Sequence, residues 1–372
     1  MQVNADLHIH SPFSIASSRD MVPDRLREGC RLKGLRVLGS GDGLHPGWRR
    51  MWRESPDNGS GILVVPTGEV EDRDRVHHLI LMESWGDFEE LGMRLETDPR
   101  RLSTNGRPRV NLGGEAIAAK VHALGGLIGP AHAFTPWTSL YASFDRLGDC
   151  YGAEPVDFLE LGLSADSSYG AGISELRTIP FLTNSDAHSP SPVRLGREFT
   201  RLSVGELTSR GVLDAVGKGA VVMNAGFFPE EGKYNRTACT RCFREYSLEE
   251  AVALSWRCAD DRGRIKKGVR DRARELSDGP PSARPPYLHL IPLGEIIQRV
   301  QGTSSPHTKK CRSLYDRLIG AFGTEIAVLV DVPVEEIRKV HPAIADAVDA
   351  LRSGRLVLHP GGGGRYGSFS FP

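Results

Sequence analysis

The stretch Asp6 to Ser14 reads DLHIHSPFS and sets two histidines two residues apart in a short apolar run. On an extended strand, side chains at i and i+2 share a face, so His8 and His10 aim two imidazoles at one point. Alone, the pair fits an edge strand with two solvated histidines equally well. The pattern recurs, however. Asp42 and His45 fall in GSGDGLHPGW, Glu69 in PTGEVED, His77 and His78 in VHHLIL, His132 in GPAHAF, and Asp186 and His188 in TNSDAHSP. Asp20 in SSRDM joins the set. A lone histidine is more often a satisfied core residue than a ligand. Five further stretches that each deliver an imidazole or a carboxylate at a strand end read as a ligand set. Mixed nitrogen and oxygen donors suit Zn²⁺, Mn²⁺ or Fe²⁺, and this many exceed the coordination of one ion. The expectation is a cluster of two or three ions.

Such residues need a frame. The chain has 372 residues, enough for two or three domains, with 39% hydrophobic and 25% charged residues, an ordinary globular composition. Lys+Arg and Asp+Glu both number 47, so any nucleic-acid footprint must be local rather than global. The polar start MQVNADLH shows no signal peptide, no run approaches the length of a membrane span, and six cysteines make no disulfide framework. A cytoplasmic, nucleoid-associated protein without a membrane partner is expected. Up to about residue 225, apolar runs (GLRVLGS, GILVVPTGE, VHHLILMES, LGGLIGPAH, PVDFLELGLS, TIPFLTNSD, GAVVMNAG) alternate with helix-like PDRLREGCRLKG and GEAIAAKVHALG. This reads as an α/β domain over residues 1–225, a parallel sheet or an α/β barrel with its site at the carboxyl ends of the strands.

Composition then shifts. In residues 226–280, Cys239 and Cys242 form a C-x-x-C knuckle, Cys258 follows, and Asp261 stands where a fourth cysteine is expected. A Cys₃Asp zinc site and a knuckle that folds without metal are both open readings. Directly afterwards come Arg262, Arg264, Lys266, Lys267, Arg270, Arg272 and Arg274, opposed within that run by Asp271. The bland reading is a solvated face, and the sharper one a footprint on a phosphate backbone. DGPPSARPPY reads as a connector into a C-terminal α/β region over 281–372, which ends in a run of four glycines read as a flexible tract.

The motif set HIH, carboxylate-plus-His, Gly-x-Glu, Gly-x-x-His and Asp-x-His resembles the PHP (polymerase and histidinol phosphatase) phosphoesterases over residues 1 to about 225. That resemblance implies a distorted (β/α)₇ barrel with two or three divalent ions, zinc, manganese or magnesium. It puts His8, His10, Glu69 and Asp186 on a first ion, with Glu69 bridging to a second held by His78 and His132. His45, His188 and Asp20 would hold a third. His78 rather than His77 is taken as the inward member of its pair, and Asp42 as a ligand or as the group orienting His45. Asp186, Glu69 and His188 are the expected catalytic residues, with Asp186 also positioning the attacking water.

Over nearly the whole chain, GDGLHPGW, TNSDAHSP, LGREF, ACTRC, IKKGVRDR, RPPYLHLIPLGEII, FGTEI, DVPVEEI and PGGGGRYG resemble the endonuclease Q family. This likeness implies a DNA repair enzyme that nicks the phosphodiester 5′ to deaminated bases (uracil, hypoxanthine, xanthine) or abasic sites in single- or double-stranded DNA. The lesion would have to leave the base stack. LGLSADSSYGAG is the expected pocket wall, through Ser164, Asp166, Ser168 and Tyr169. A PHP phosphatase for small monoesters and an inactive DNA-binding PHP protein are the alternatives. A sliding-clamp contact through GRYGSFSFP is a further expectation, although the upstream Gln is missing.

Overall fold

The computed structural model describes residues 1–57 and 59–372. Its architecture is α/β. The strands are β1 (Gln2–Asp6), β2 (Val37–Gly39), β3 (Leu63–Val65), β4 (Thr67–Glu71), β5 (His77–Leu81), β6 (Leu127–Pro130), β7 (Leu159–Glu160), β8 (Phe181–Leu182), β9 (Phe199–Ser203), β10 (Val221–Gly226), β11 (Ala238–Cys239), β12 (Ile265–Lys266), β13 (Tyr287–His289), β14 (Val357–His359) and β15 (Ser368–Ser370).

One closed seven-stranded barrel is the expectation from the PHP resemblance, and the ladders are more broken than that. They form a six-stranded sheet (β13-β10-β9-β1-β2-β3), a three-stranded sheet (β4-β5-β6) and a two-stranded one (β7-β8). Pro66 separates β3 from β4, and a proline has no N–H for a ladder. Side chains and loop backbone bridge the other breaks. Thr183 Oγ1 donates to Phe199 O at 2.7 Å, Ala133 N to Glu160 O at 2.8 Å, and His10 N to Ala187 O at 2.9 Å.

Helices fill the outer layer where the spacing predicts them. The helix Pro23–Lys33 starts on a proline and ends at Gly34, whose φ of 97° is cheap only for glycine, while Leu26 and Cys30 face the core. The C-terminal segment is not a separate body. β13 extends the main sheet beside β10, and helices Leu293–Gln301, Lys309–Phe322 and Pro342–Arg352 share a hydrophobic core with Leu26, Cys30 and Leu35. Lys33 Nζ and Glu325 Oε1, both nearly fully buried, pair at 2.7 Å across this junction.

The four-glycine run is not a flexible tract. Gly361 accepts from Arg236 N at 2.9 Å, and side chains at Gly361 or Gly363 would strike backbone at 2.5 Å and 2.1 Å. The tail is likewise folded: Phe369 is buried and β15 pairs with β14. Among the described residues, no helix is long and apolar enough to cross a membrane.

Candidate metal centre

His8 and His10 lie just past the end of β1, where Ile9 still bridges to Ala187, so the strand-like alternation holds and both rings face one way. His8 Nδ1 donates to Glu160 Oε2 at 2.9 Å and His10 Nδ1 to Asp42 Oδ1 at 3.0 Å. Each carboxylate fixes its ring with Nε2 pointing inward. Asp42 therefore orients His10 rather than His45, and it also accepts from the Ser11 and Ser14 hydroxyls.

Around these nitrogens the ligand atoms converge. Glu69 divides its two oxygens: Oε1 lies 2.8 Å from His77 Nδ1 and 3.1 Å from His132 Nε2, and Oε2 lies 3.5 Å from His10 Nε2. Asp186 Oδ1 is 3.0 Å from His10 Nε2, 3.9 Å from His8 Nε2 and 3.6 Å from His188 Nε2. Donors about 2.1 Å from one ion stand roughly 3.0–3.5 Å apart at the corners of an octahedron or tetrahedron. His8 Nε2, His10 Nε2 and Asp186 Oδ1 are closed to solvent and make no hydrogen bond among the described residues. Buried polar atoms normally find partners, so three orphans aimed at a common point fit divalent ions.

Charge is arranged accordingly. Burial alone would strip protons from His8 and His10, but Glu160 and Glu69 beside the first, and Asp42 and Asp186 beside the second, overcome it. Both sit above ordinary histidine, His10 at about 9. Burial works against the Glu69 charge, yet His77 and Arg107 hold its carboxyl well below the usual range. Asp42, His132 and Asp186 all take positive φ (49°, 33° and 47°), a strained backbone of the kind that gathers at functional sites.

Three expected ligands fall elsewhere. The antiparallel β4–β5 register sets Glu71 opposite His77 and Val70 opposite His78, so His77 shares the Glu69 face and His78 looks away. Both His78 nitrogens are engaged, with Tyr151 OH at 2.7 Å and Asp72 Oδ2 at 3.2 Å. Cys150 completes that buried group, which is a satisfied network. His45 caps the helix Pro46–Glu54, accepting from Trp48 N and donating to Ser103 O. Asp20 is exposed and lies outside every cluster of candidate ligands.

Two contributors escape the sequence reading. Glu160 ends strand β7 inside PVDFLELGLS, by the same strand-end logic, and carried a usable signal. Arg107, which donates to Glu69 Oε2 at 3.1 Å, sits in a loop without one.

In the second region, Cys239, Cys242, Cys258 and Asp261 do come together, with each group's ligand atom within 4.8 Å of the others. Cys242 and Cys258 Sγ stand 3.5 Å apart, near the roughly 3.8 Å separating two thiolates on one tetrahedral zinc. Of the seven basic residues, Arg272 pins the module to the barrel through Tyr141 O, Phe144 O and Asp145. Lys267 pairs with Glu275 and Arg270 with Asp271. Arg262, Arg264, Lys266 and Arg274 have no carboxylate partner among the described residues.

The expected pocket wall is bonded internally. Asp166 accepts from Ser168 N and pairs with His289 Nε2 at 3.0 Å, Tyr169 OH accepts from Asn235 at 2.7 Å, and Ser164 is buried against Gly232.

The whole chain superposes on the lesion-specific endonuclease PfuEndoQ of Pyrococcus furiosus with a TM-score of 0.94 at 45% identity, covering 100% of this chain and 96% of that one. This chain belongs to the endonuclease Q family. A second crystal structure, an endonuclease Q complex with a 27-mer duplex carrying an abasic lesion at its active site, matches at a TM-score of 0.93 and 45% identity. It covers 100% of this chain and 97% of that one. Residues 292–355 match the family model described as the MJ0043 C-terminal domain. The uncharacterized protein MJ0043 of Methanocaldococcus jannaschii is 46% identical over 246 residues, and the match covers 64% of this chain and 31% of that relative. So this endonuclease Q family member spans about a third of that relative's length.

Proposed function

We propose that this protein is a DNA repair endonuclease that uses divalent ions to hydrolyse a phosphodiester bond 5′ to a lesion, with deaminated bases and abasic sites as the lesion class. The observation that carries this is the trio of buried, unbonded atoms, His8 Nε2, His10 Nε2 and Asp186 Oδ1, in an endonuclease Q chain matched over its full length. His8, His10, Glu69 and Asp186 would hold one ion, Glu69 with His77 and His132 a second, and Asp186 with His188 any third. Bound there, divalent ions supply positive charge to a phosphodiester and make water acidic enough to react near neutral pH.

This chain's own groups do the rest. Glu160 and Asp42 fix the two imidazoles. Asp186 and His188 are each about one-third exposed, at 32% and 35%, which supports giving them the substrate side: Asp186 orients the attacking water and takes its proton. Cys239, Cys242, Cys258 and Asp261 would hold one structural zinc, and the unpaired cations beside them would meet the DNA backbone. Extrusion of the lesion costs a few kcal/mol, least at a mismatch.

The test is a set of end-labelled duplexes that carry one deoxyuridine, deoxyinosine or abasic site, incubated with Mn²⁺, Mg²⁺ or Zn²⁺. Lesion-dependent nicking that is absent in Asp186→Asn supports the reading and ranks the bases. Release of phosphate from small monoesters without nicking moves the function to a phosphatase.

A further inference from the structure

Trp137 is 47% exposed, one of the few large apolar side chains left in solvent, and nothing in the metal centre uses it. Its loop is braced by that centre. His132 Nδ1 bonds Thr135 Oγ1 at 3.2 Å, Thr135 Oγ1 donates to Trp137 O at 3.0 Å, and His77 N donates to Thr138 O at 3.1 Å. The indole is thus tied on both sides to two histidines that face Glu69. Across from it, Lys266 Nζ stands 3.6 Å from the ring centroid, and Tyr234 meets the ring edge-on. Lys266 comes from β12, whose register pairs Ala238 with Lys266 and Cys239 with Ile265, so the cysteine module itself delivers this ammonium to the rim.

Next to the pair opens a cavity of about 220 Å³ lined by Phe134, Thr135, Tyr141, Lys266, Lys267 and Arg272. Lys267 and Arg272 already have carboxylates, whereas Lys266 has none among the described residues. Burial, with Arg264 nearby, pulls Lys266 down to about 8. An ammonium kept half-buried without a counter-charge gains from an arriving anion, and an indole about half in solvent gains from an arriving base.

We propose that Trp137 and Lys266 form a subsite for one nucleotide of the DNA strand beside the metal centre, the base stacking on the indole and its phosphate meeting the ammonium. The subsite rests on the endonuclease reading and explains why the cysteine module is fused to the barrel: it places the cation that completes the platform.

The experiment is fluorescence-anisotropy binding of a labelled, undamaged oligodeoxynucleotide, single-stranded and duplex, across a salt series. The Asp186→Asn protein is compared with the same protein carrying Trp137→Ala, Trp137→Phe or Lys266→Ala. Trp137→Ala is expected to weaken single-strand binding about 5- to 150-fold, with Trp137→Phe in between, and either variant to remove the DNA-induced quenching that comes from the indole at 137. Lys266→Ala should lower the slope of log affinity against log salt by about 0.7 on single strands. If Trp137→Ala unfolds, Trp137→Phe and Lys266→Ala carry the test. Unchanged affinity, quenching and slope in those variants would overturn the subsite even if the wild-type protein nicks lesions. Quenching and slope changes in a protein that nicks nothing would uphold the subsite and sink the endonuclease.

Discussion

His77 Nδ1 stands 2.8 Å from Glu69 Oε1, while its neighbour His78 points to the opposite face of the same strand. The two are therefore separable by mutation. His77→Ala should lower metal content and reduce nicking at least about 100-fold, since even residues that only orient ligands cost 10- to 100-fold. His78→Ala should keep the metal and lose about 1–3 kcal/mol of stability by leaving Asp72 and Tyr151 unpaired in the core. Elemental analysis and thermal melts distinguish the pair.

Asp42 and Glu160 hold the far nitrogens of His10 and His8. Asp42→Asn and Glu160→Gln keep the shape but weaken the grip on the ring, so metal affinity should fall about 10- to 100-fold with little change in fold. Competition with a chromophoric chelator measures it.

Asp261 is the weak point of the cysteine site, since a carboxylate binds zinc less softly than a thiolate. Asp261→Cys is expected to tighten zinc binding there and raise the melting temperature, whereas Cys242→Ser should do the reverse. No zinc in the module of the parent protein, with melting unchanged in both variants, would mean that the knuckle folds without metal.

Glu198 is fully buried, and among the described residues only Oε1 finds a partner, Phe227 N, while burial pushes the carboxyl up to about 8 from an ordinary 4.5. Between those values the folded chain keeps a proton that the unfolded chain has lost. Stability should therefore fall as pH rises from 4.5 to 8, by about 1.4 kcal/mol per unit for this group. Glu198→Gln should flatten that slope in denaturant titrations at stepped pH.

The strand-end logic is legible in the sequence because each candidate ligand follows an apolar run: the side chains of His8, His10, Glu69, His132, Asp186 and His188 fall into clusters of potential metal-binding groups. What it could not show depends on partners distant in the chain. His77 and His78 differ only through the β4–β5 register, which no local pattern encodes. His45 precedes Pro46, and its capping role outweighs ligation only once Trp48 N is in reach. Strand β9 has no apolar run to announce it, because FTRLS interleaves Arg201 with its apolar residues, and Arg201 donates to Asn4 on β1. The glycine run looked loose because its neighbours, Arg236 to Cys239, lie over a hundred residues away.

The most direct measurement maps the cut. A duplex labelled at the 5′ end of the damaged strand, carrying one abasic site or one deoxyuridine, is incubated with Mn²⁺ and resolved beside a sequence ladder. The expected result is one product ending immediately 5′ to the lesion, absent from undamaged duplex and from Asp186→Asn. Cutting of the undamaged duplex at many positions, or no cutting by a metal-loaded protein, would contradict a lesion-directed endonuclease.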